Sequence, residues 1–529
     1  MQPSSSPLRS QPRASFFNRR RVIIISIVAA VLIALALTAD TIVSVYGKRQ
    51  IDAALAQLDK PAISVGGLKV ALFASTVFVQ DISVKTDSLT VFVDGMRVHY
   101  NLKLRDLWRN HVSLRSLSVS VDTVSLKFPD PSTFVHVRKA YACVHDLSYG
   151  WKDSSFVYND SVYAISVGSL SFDSPGKIFT VRARDIETEN GGAIQLGRTR
   201  LKNGIGKREL ADLMNCPTNW IDLSLESVRT SPLNLFKLAQ AKRYDVDKVY
   251  VKVSDFTTYR DTRHPSPTPF PMPQQALLAA KIPVKINSVE ADVKQLHVEL
   301  TAYKENCSRL HLGPLHATVR NFYPVLGQTL SAKMTGKMGK GDLAASFAMH
   351  FNKDCDYDIS LKGSHVDGSL LNDFIRPLVA MTCDCALDSL ATTYSGNSVE
   401  AKGQFLLMYH DLNVTVHKEE DIPFKIISNN AGAIQSFAHT MIPTSNPAKH
   451  AKGPNAYEVY WKRKDTQPFQ LVAFGPVING VVKTMLPGLF IQSKLHEGKS
   501  EQAKPEKTKP EKTKPEKRPA SPASSASRP

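Results

Sequence analysis

The chain has 529 residues, of which 43% are hydrophobic, and a formal net charge of +18. The hydrophobic content is typical of a chain that folds around a core, but much of the charge lies at the ends. Residues 1–21 contain five Arg and no acid, and residues 499–529 contain nine basic and four acidic residues. Between the ends, basic residues do not cluster among aromatic ones as in nucleic-acid-binding proteins, so we expect no nucleic-acid partner.

Residues 22–46 predict a transmembrane anchor. The sequence carries no charge from position 22 to 39, and the apolar run reaches the roughly 20 residues of a spanning helix only by continuing past Asp40. Three basic residues directly precede the run: Arg19, Arg20 and Arg21. The positive-inside rule makes these arginines the topology determinants, and it places the remainder of the chain across the membrane from them.

A cleavable signal peptide is the alternative to an anchor. Ala34-Leu35-Ala36 offers small residues with the spacing of a cleavage site. Because the apolar run continues beyond that site, we favour an uncleaved, single-pass anchor.

Beyond residue 63, apolar residues recur at every second position. Leu117, Val119 and Val121, for example, alternate with Ser118 and Ser120. Such a run predicts a strand with one apolar and one polar face. Similar runs continue to residue 416 with few helical patterns between them, which predicts a mainly β fold: a long twisted antiparallel sheet with few short helices.

Proline divides the strand-forming sequence into two regions. Five prolines occupy every second position from Pro265 to Pro273, a pattern typical of an extended polyproline linker. The last segment repeats Lys-Pro-Glu-Lys-Thr and predicts a disordered tail, which is solvated or contacts anionic envelope polymers. The predicted organisation is a disordered cytoplasmic segment (1–21), the anchor (22–46), a first β region (47–262), the linker (263–275), a second β region (276–495) and the tail (496–529).

Two strands of the second β region carry large apolar side chains on one face. The six residues concerned are Phe347, Met349, Phe351, Phe405, Leu407 and Tyr409. An apolar face must be covered, either by a second layer that closes a core or by a ligand with acyl chains that fills a trough. We treat the six residues as the candidate lining of such a lipid groove.

The sequence carries no strong catalytic or metal-binding motif. G-x-S-x-G, H-E-x-x-H, the P-loop and G-x-G-x-x-G are all missing, and the histidines are scattered. We therefore expect a protein that is not an enzyme and that needs neither a cofactor nor a metal ion.

Several segments resemble AsmA-like envelope proteins, the later ones those of the Bacteroidota type. The segments are the anchor with its short helix, the strands at 68–84 and 89–104, Leu107-Trp108-Arg109-Asn110, the strands at 114–121 and 124–128, Leu371-Asn372, Pro377-Leu378, Gly403-x-Phe405-x-Leu407-x-Tyr409-x-Asp411-Leu412 and Asn446-Pro447. Asn110 stands where Gly is usual, and Asp122-Thr123 where a turn with Pro is common. The resemblance implies a protein of the bacterial inner membrane whose bulk lies in the periplasm, where a long β groove serves lipid movement or outer-membrane homeostasis.

From the resemblance and the alternation we expect a non-enzymatic protein that binds or transfers phospholipid between the inner and outer membranes. A structural protein of the envelope with a closed β core is the alternative, and a periplasmic hydrolase is a third reading. About 24 strands in one sheet would give a groove on the order of 115 Å. A division of the strands into two halves at the prolines would shorten it.

Overall fold

The computed structural model describes residues 39–53, 62–103, 111–150, 156–157, 163–188, 192–233, 244–264, 270–303, 306–418, 432, 435–436, 440, 442–449, 451–465, 467 and 469–485. Strands dominate these residues and all belong to one sheet. The prediction of a mainly β fold with few helices is therefore confirmed.

The strands are β1 (Ala62–Ala71), β2 (Thr76–Lys85), β3 (Thr90–Leu102), β4 (His111–Lys127), β5 (Phe134–Gly150), β6 (Phe156–Val157), β7 (Tyr163–Asp173), β8 (Thr180–Thr188), β9 (Ile194–Leu196), β10 (Thr199–Lys202), β11 (Thr218–Thr230), β12 (Tyr244–Asp261), β13 (Val284–Val293), β14 (Leu296–Tyr303), β15 (Asn306–Leu312), β16 (Leu315–Phe322), β17 (Thr329–Met338), β18 (Gly341–His350), β19 (Tyr357–Asp367), β20 (Met381–Gly396), β21 (Glu400–Val416) and β22 (Ala456–Lys462). The helices used below are α1 (39–53), α2 (Lys207–Met214), α3 (Pro273–Ala279), α4 (Asn372–Val379) and α5 (Phe469–Met485). Two 3-10 helices lie at Pro175–Lys177 and Gly368–Leu371.

The sheet is a ladder in which sequential strands are spatial neighbours. Pairing is antiparallel throughout except where β12 runs parallel to β13 and β14. The two β regions therefore form one continuous sheet, and the strands do not divide into separate halves at the prolines. Four pairs of strands lie end to end (β6/β7, β9/β10, β13/β14 and β15/β16), so the 22 strands form 18 rows. At about 4.8 Å between rows the sheet extends about 80 Å, which is shorter than expected because there are fewer rows.

A line of kinks crosses the first β region. The backbone turns left-handed at Asp81 (φ 52°), Gly95 (φ 67°), Lys139 (φ 53°) and Asp185 (φ 54°), and the regular pairing is interrupted at these positions. The register is the same on both sides of each interruption, so these are kinks without an inserted residue, aligned across neighbouring strands along one line. The apolar positions step by three residues across each kink, which keeps the same face apolar on both sides.

The helices are short and few. Helix α2 (Lys207–Met214) packs against β11 and β12. No helix within the described residues is long and apolar enough to span a bilayer. Most of the predicted anchor, residues 22–38, lies outside the described residues, as do residues 1–21 and 496–529, so the anchor and the disordered tail remain predictions.

All six cysteines are free thiols.

Candidate functional site

One face of the sheet is apolar along its whole length. The cross-strand register aligns one residue from each of the 18 rows, and 17 of these residues are aliphatic or aromatic, as the sequence below shows. From β1 to β22 this apolar row is Leu68, Val79, Met96, Val121, Ala140, Val167, Ile186, Leu196, Val228, Val251, Ala291, Ala317, Met334, Ala345, Leu361, Thr392, Phe405 and Tyr457.

The opposite face of the sheet is polar. Successive residues of a strand point to opposite faces, so the residues next to the apolar row form a second row on the other side. That polar row is Lys69, Phe78, Arg97, Ser120, Tyr141, Ser166, Glu187, Gln195, Arg229, Tyr250, Glu290, Thr318, Lys333, Ser346, Ser360, Thr393, Gln404 and Glu458. The contrast between the two rows holds on most strands, with Phe78 in the polar row and Thr392 in the apolar row as exceptions, so the sheet is amphipathic along its length.

The apolar face of β1–β12, which we call the open face, has no second layer among the described residues beyond the contact of α1 with Leu68 at its first strand. Helix α5 contacts β21 and β22, and α4 contacts β15 and β20. Helix α2 does contact β11 and β12, but on the side where its Lys207 pairs with Glu299 of β14. Nine of the ten side chains of the apolar row in this part are half-buried, and Val79, at 8% exposure, is the one that is buried. The open face covers 10 rows, because β6/β7 and β9/β10 share rows, and it therefore extends about 45 Å.

The C-terminal end of the same face is closed. The three described clusters of fully buried apolar side chains all lie in β17–β22 and in the segments that cover them. Helix α5 approaches the sheet through two glycines: a Cβ at Gly480 would lie 2.1 Å from the ring of Phe405, and a Cβ at Gly475 2.2 Å from Trp461. Leu277 and Leu278 of α3 cover the neighbouring strands. We call this covered part the closed end.

The six residues predicted to line a groove lie in the closed end. They do share the apolar face, as the alternation predicted, but α3 and α5 cover that face here. The exposed fractions of Phe351, Phe405 and Tyr409 are 1%, that of Leu407 is 4% and that of Met349 is 7%. Phe347 is partly buried and contacts Phe469 of α5, with ring centroids 5.9 Å apart. The expectation of an open groove at these positions was therefore wrong. The alternation of apolar residues along the strands could not indicate that a helix from a later segment covers them.

Burial also raises the pKa of the tyrosines in the closed end. It raises the pKa of Tyr357 and of Tyr409 to about 12, and it raises the pKa of Tyr394 as well. The neutral Tyr409 hydroxyl donates to the carbonyl of Pro443 at 3.1 Å, and that of Tyr394 donates to the carbonyl of Ala473 in α5. The closed end therefore has the properties of a protein core, and the hydrogen bond of Tyr394 fastens α5 to the sheet.

A polar cleft of about 480 Å³ lies on the other face, at the end of β17–β20. In it Nδ1 of His350 lies 3.0 Å from the Thr329 hydroxyl, and Nε2 lies 3.0 Å from the Asp358 carboxylate. The Ser395 hydroxyl donates to Asp358 at 2.5 Å, and these hydrogen bonds, Ser395 first and His350 second, lower the pKa of Asp358.

A hydroxyl, an imidazole and a carboxylate in series are the groups of a nucleophilic hydrolase. Histidines elsewhere on this sheet make the same cross-strand contacts, however: His136 with Ser125 at 2.9 Å, and His410 with Asp388 at 2.9 Å. The repetition identifies these pairs as a feature of the polar face. Among the described residues, no three His, Cys, Asp or Glu side chains group as a metal site requires.

Neither a scan against protein-family models nor a search of curated proteins finds a match for this chain. The evidence for function therefore lies in the geometry of the sheet.

Two features of the fold could not be predicted from the sequence. The line of kinks has no glycine at three of its four left-handed positions. Helix α5 contains Gly475-Pro476, a pair that is typical of a turn and therefore did not predict a helix. A signal for α5 was present in the small residues spaced through an otherwise apolar segment.

Proposed function

We propose that the open face binds the acyl chains of phospholipids and shields them while they pass between the inner and outer membranes of a bacterial envelope. The observation that carries this proposal is the apolar row, which runs through all the rows of β1–β12 without a polar residue. With a length of about 45 Å and a width of several residues, the face amounts to something on the order of 1,000 Å², above the few hundred Å² that monomers usually expose.

The form of the surface favours movement along it over a single fixed site. A lipid that shifts from one row to the next exchanges Val, Ala, Ile or Leu neighbours for others of the same kind, so its apolar contacts change little from row to row. The chemistry of such a surface is non-enzymatic and needs no cofactor. In this proposal residues 22–46 anchor the protein in the inner membrane, the sheet lies in the periplasm, and the tail contacts anionic envelope polymers.

Two measurements on the purified full-length protein test the proposal. Mass spectrometry of organic extracts, compared with an unrelated anchored protein purified in the same way, should show phospholipid that co-purifies with this chain. Val121→Asp places a carboxylate in the apolar row, and Ser120→Asp places the same group one residue away on the polar face. Bound phospholipid should fall in the first variant and stay at the parental level in the second.

The alternative is a structural protein whose apolar face serves only for folding. The closed end supports it, since helices already cover that part of the face. If the parent protein carries no more lipid than the control and Val121→Asp unfolds it, the structural reading is correct and the lipid proposal fails.

A further inference from the structure

Helix α1 is fastened to the first hairpin of the sheet by side-chain hydrogen bonds. The backbone N–H of Val70 donates to the Ser44 hydroxyl at 2.7 Å, and that of Leu72 donates to the Asp40 carboxylate at 2.9 Å. The Ser44 hydroxyl donates in turn to the carbonyl of Asp40 at 2.5 Å. Gly47 lies against the sheet as well, because a Cβ there would be 3.2 Å from a methyl group of Leu68. The helix, the end of β1 and the turn that follows it therefore form one unit.

That unit exposes apolar side chains. Phe73, in the turn between β1 and β2, is 80% exposed, and the adjacent Leu72 is 38% exposed. On α1, Ile42 is 67%, Val45 51% and Tyr46 64% exposed. Single exposed apolar residues are ordinary, but a group of them on one fastened unit marks an interaction surface.

The sequence determines which partner this surface fits. Asp40 is the one charged residue between Arg21 and Lys48, and apolar residues flank it on both sides. Its carboxylate accepts the backbone N–H of Leu72, so the turn lies at the same level along the helix as Asp40. The apolar run that begins at residue 22 passes through that level, and it reaches the length needed to cross a bilayer just beyond it. The occupant that matches both the run and the exposed side chains is the bilayer itself.

We propose that the β1–β2 turn inserts Phe73 and Leu72 into the leaflet from which α1 emerges, and so holds the first row of the open face against the acyl region of the membrane. The inference rests on the proposed anchor and the proposed lipid function. Leu68, the first residue of the apolar row, shortly precedes the turn and remains partly exposed beside α1. A lipid that leaves the leaflet here meets apolar side chains at once and does not have to cross water.

The test uses the full-length protein in nanodiscs made from phosphatidylcholine, either ordinary or brominated on the acyl chains. Phe73→Trp is compared with Leu326→Trp, since Leu326 is a similarly exposed apolar residue, at 65%, in a turn of the second β region. After subtraction of the parent spectrum, bromine should quench the tryptophan at position 73 and leave the one at position 326 unchanged. A second variant, Phe73→Glu, should lower the fraction of inserted turn about tenfold or more and slow the extraction of a fluorescent phospholipid from the disc.

The outcomes separate this inference from the function on which it rests. Equal quenching at positions 73 and 326, or none at 73, overturns membrane insertion even if phospholipid still co-purifies with the protein. Quenching at position 73 in a protein that carries no phospholipid supports insertion and refutes lipid binding on the open face. Extraction that proceeds in Phe73→Glu at the parental rate shows that the turn does not deliver lipid, and it likewise overturns the proposal.

Discussion

A buried carboxylate distinguishes the closed end from the open face. Leu407 is 4% exposed and packs beneath α5 with Leu390 of the neighbouring strand, so Leu407→Asp removes a buried side chain and leaves an unpaired charge in its place. The lost burial amounts to about 1.5–3 kcal/mol, and an unpaired polar group adds several kcal/mol. A total of about 5 kcal/mol or more matches the whole stability of many domains.

The same change on the open face should have a much smaller effect. Val121 is half-buried and water reaches its surroundings, so Val121→Asp loses only about 1 kcal/mol of apolar burial and its carboxylate remains hydrated. Ser120→Asp, on the polar face, should be close to neutral.

Thermal unfolding followed by circular dichroism, together with the yield of folded protein, measures the difference. We expect Leu407→Asp to unfold the second β region or prevent its accumulation, and Val121→Asp to lower the Tm by a few degrees at most. Equal destabilisation by the two variants would refute the reasoning, because it would mean that a second layer covers both parts of the face. Tolerance of Leu407→Asp would show instead that α5 does not close its end.

Further predictions address single features. Gly480→Ala should displace α5 from Phe405 and reduce the free energy of unfolding by about 1–3 kcal/mol, because the cost of overpacking exceeds the gain in helix propensity. The Tm should fall accordingly, and a raised Tm would contradict the close contact. Asp358, whose pKa the native hydrogen bonds lower, contributes stability above the unfolded pKa of about 3.9 that is lost as the pH falls through the native pKa. Asp358→Asn should therefore flatten the acid limb of a Tm-against-pH profile, and an unchanged limb would refute this linkage. Truncation before Lys499 should leave the Tm unchanged, whereas a drop of several degrees would show that the tail docks. A periplasm-specific reporter fused after Ser493 should be active, and activity of a cytoplasm-specific reporter there would invert the topology.

The alternation in the sequence was sufficient to predict the sheet and the face on which each strand is apolar, because a strand exposes successive side chains to opposite sides. It could not show which part of that face is covered. Phe405 and Val121 occupy the same row and follow the same pattern, and only the position of α5 makes one a core residue. The kinks were also hidden, because a left-handed Lys139 has no sequence signature of the kind that glycine provides.

The parallel pairing of β12 with β13 and β14 has a consequence for how the chain acquires its structure. On each side of the β12–β13 contact, strands pair mainly with their nearest neighbours in sequence, and such local pairing favours rapid formation. The parallel contact between Val249 and Val289 and its neighbours requires the chain to return across a longer connection, as does the pairing of β21 with β22. The first β region can therefore form row by row as it is synthesised, and its last strand then serves as the template for the second region. Two fragments cut between Asp261 and Val284 should accordingly reassociate along this one edge when they are expressed together.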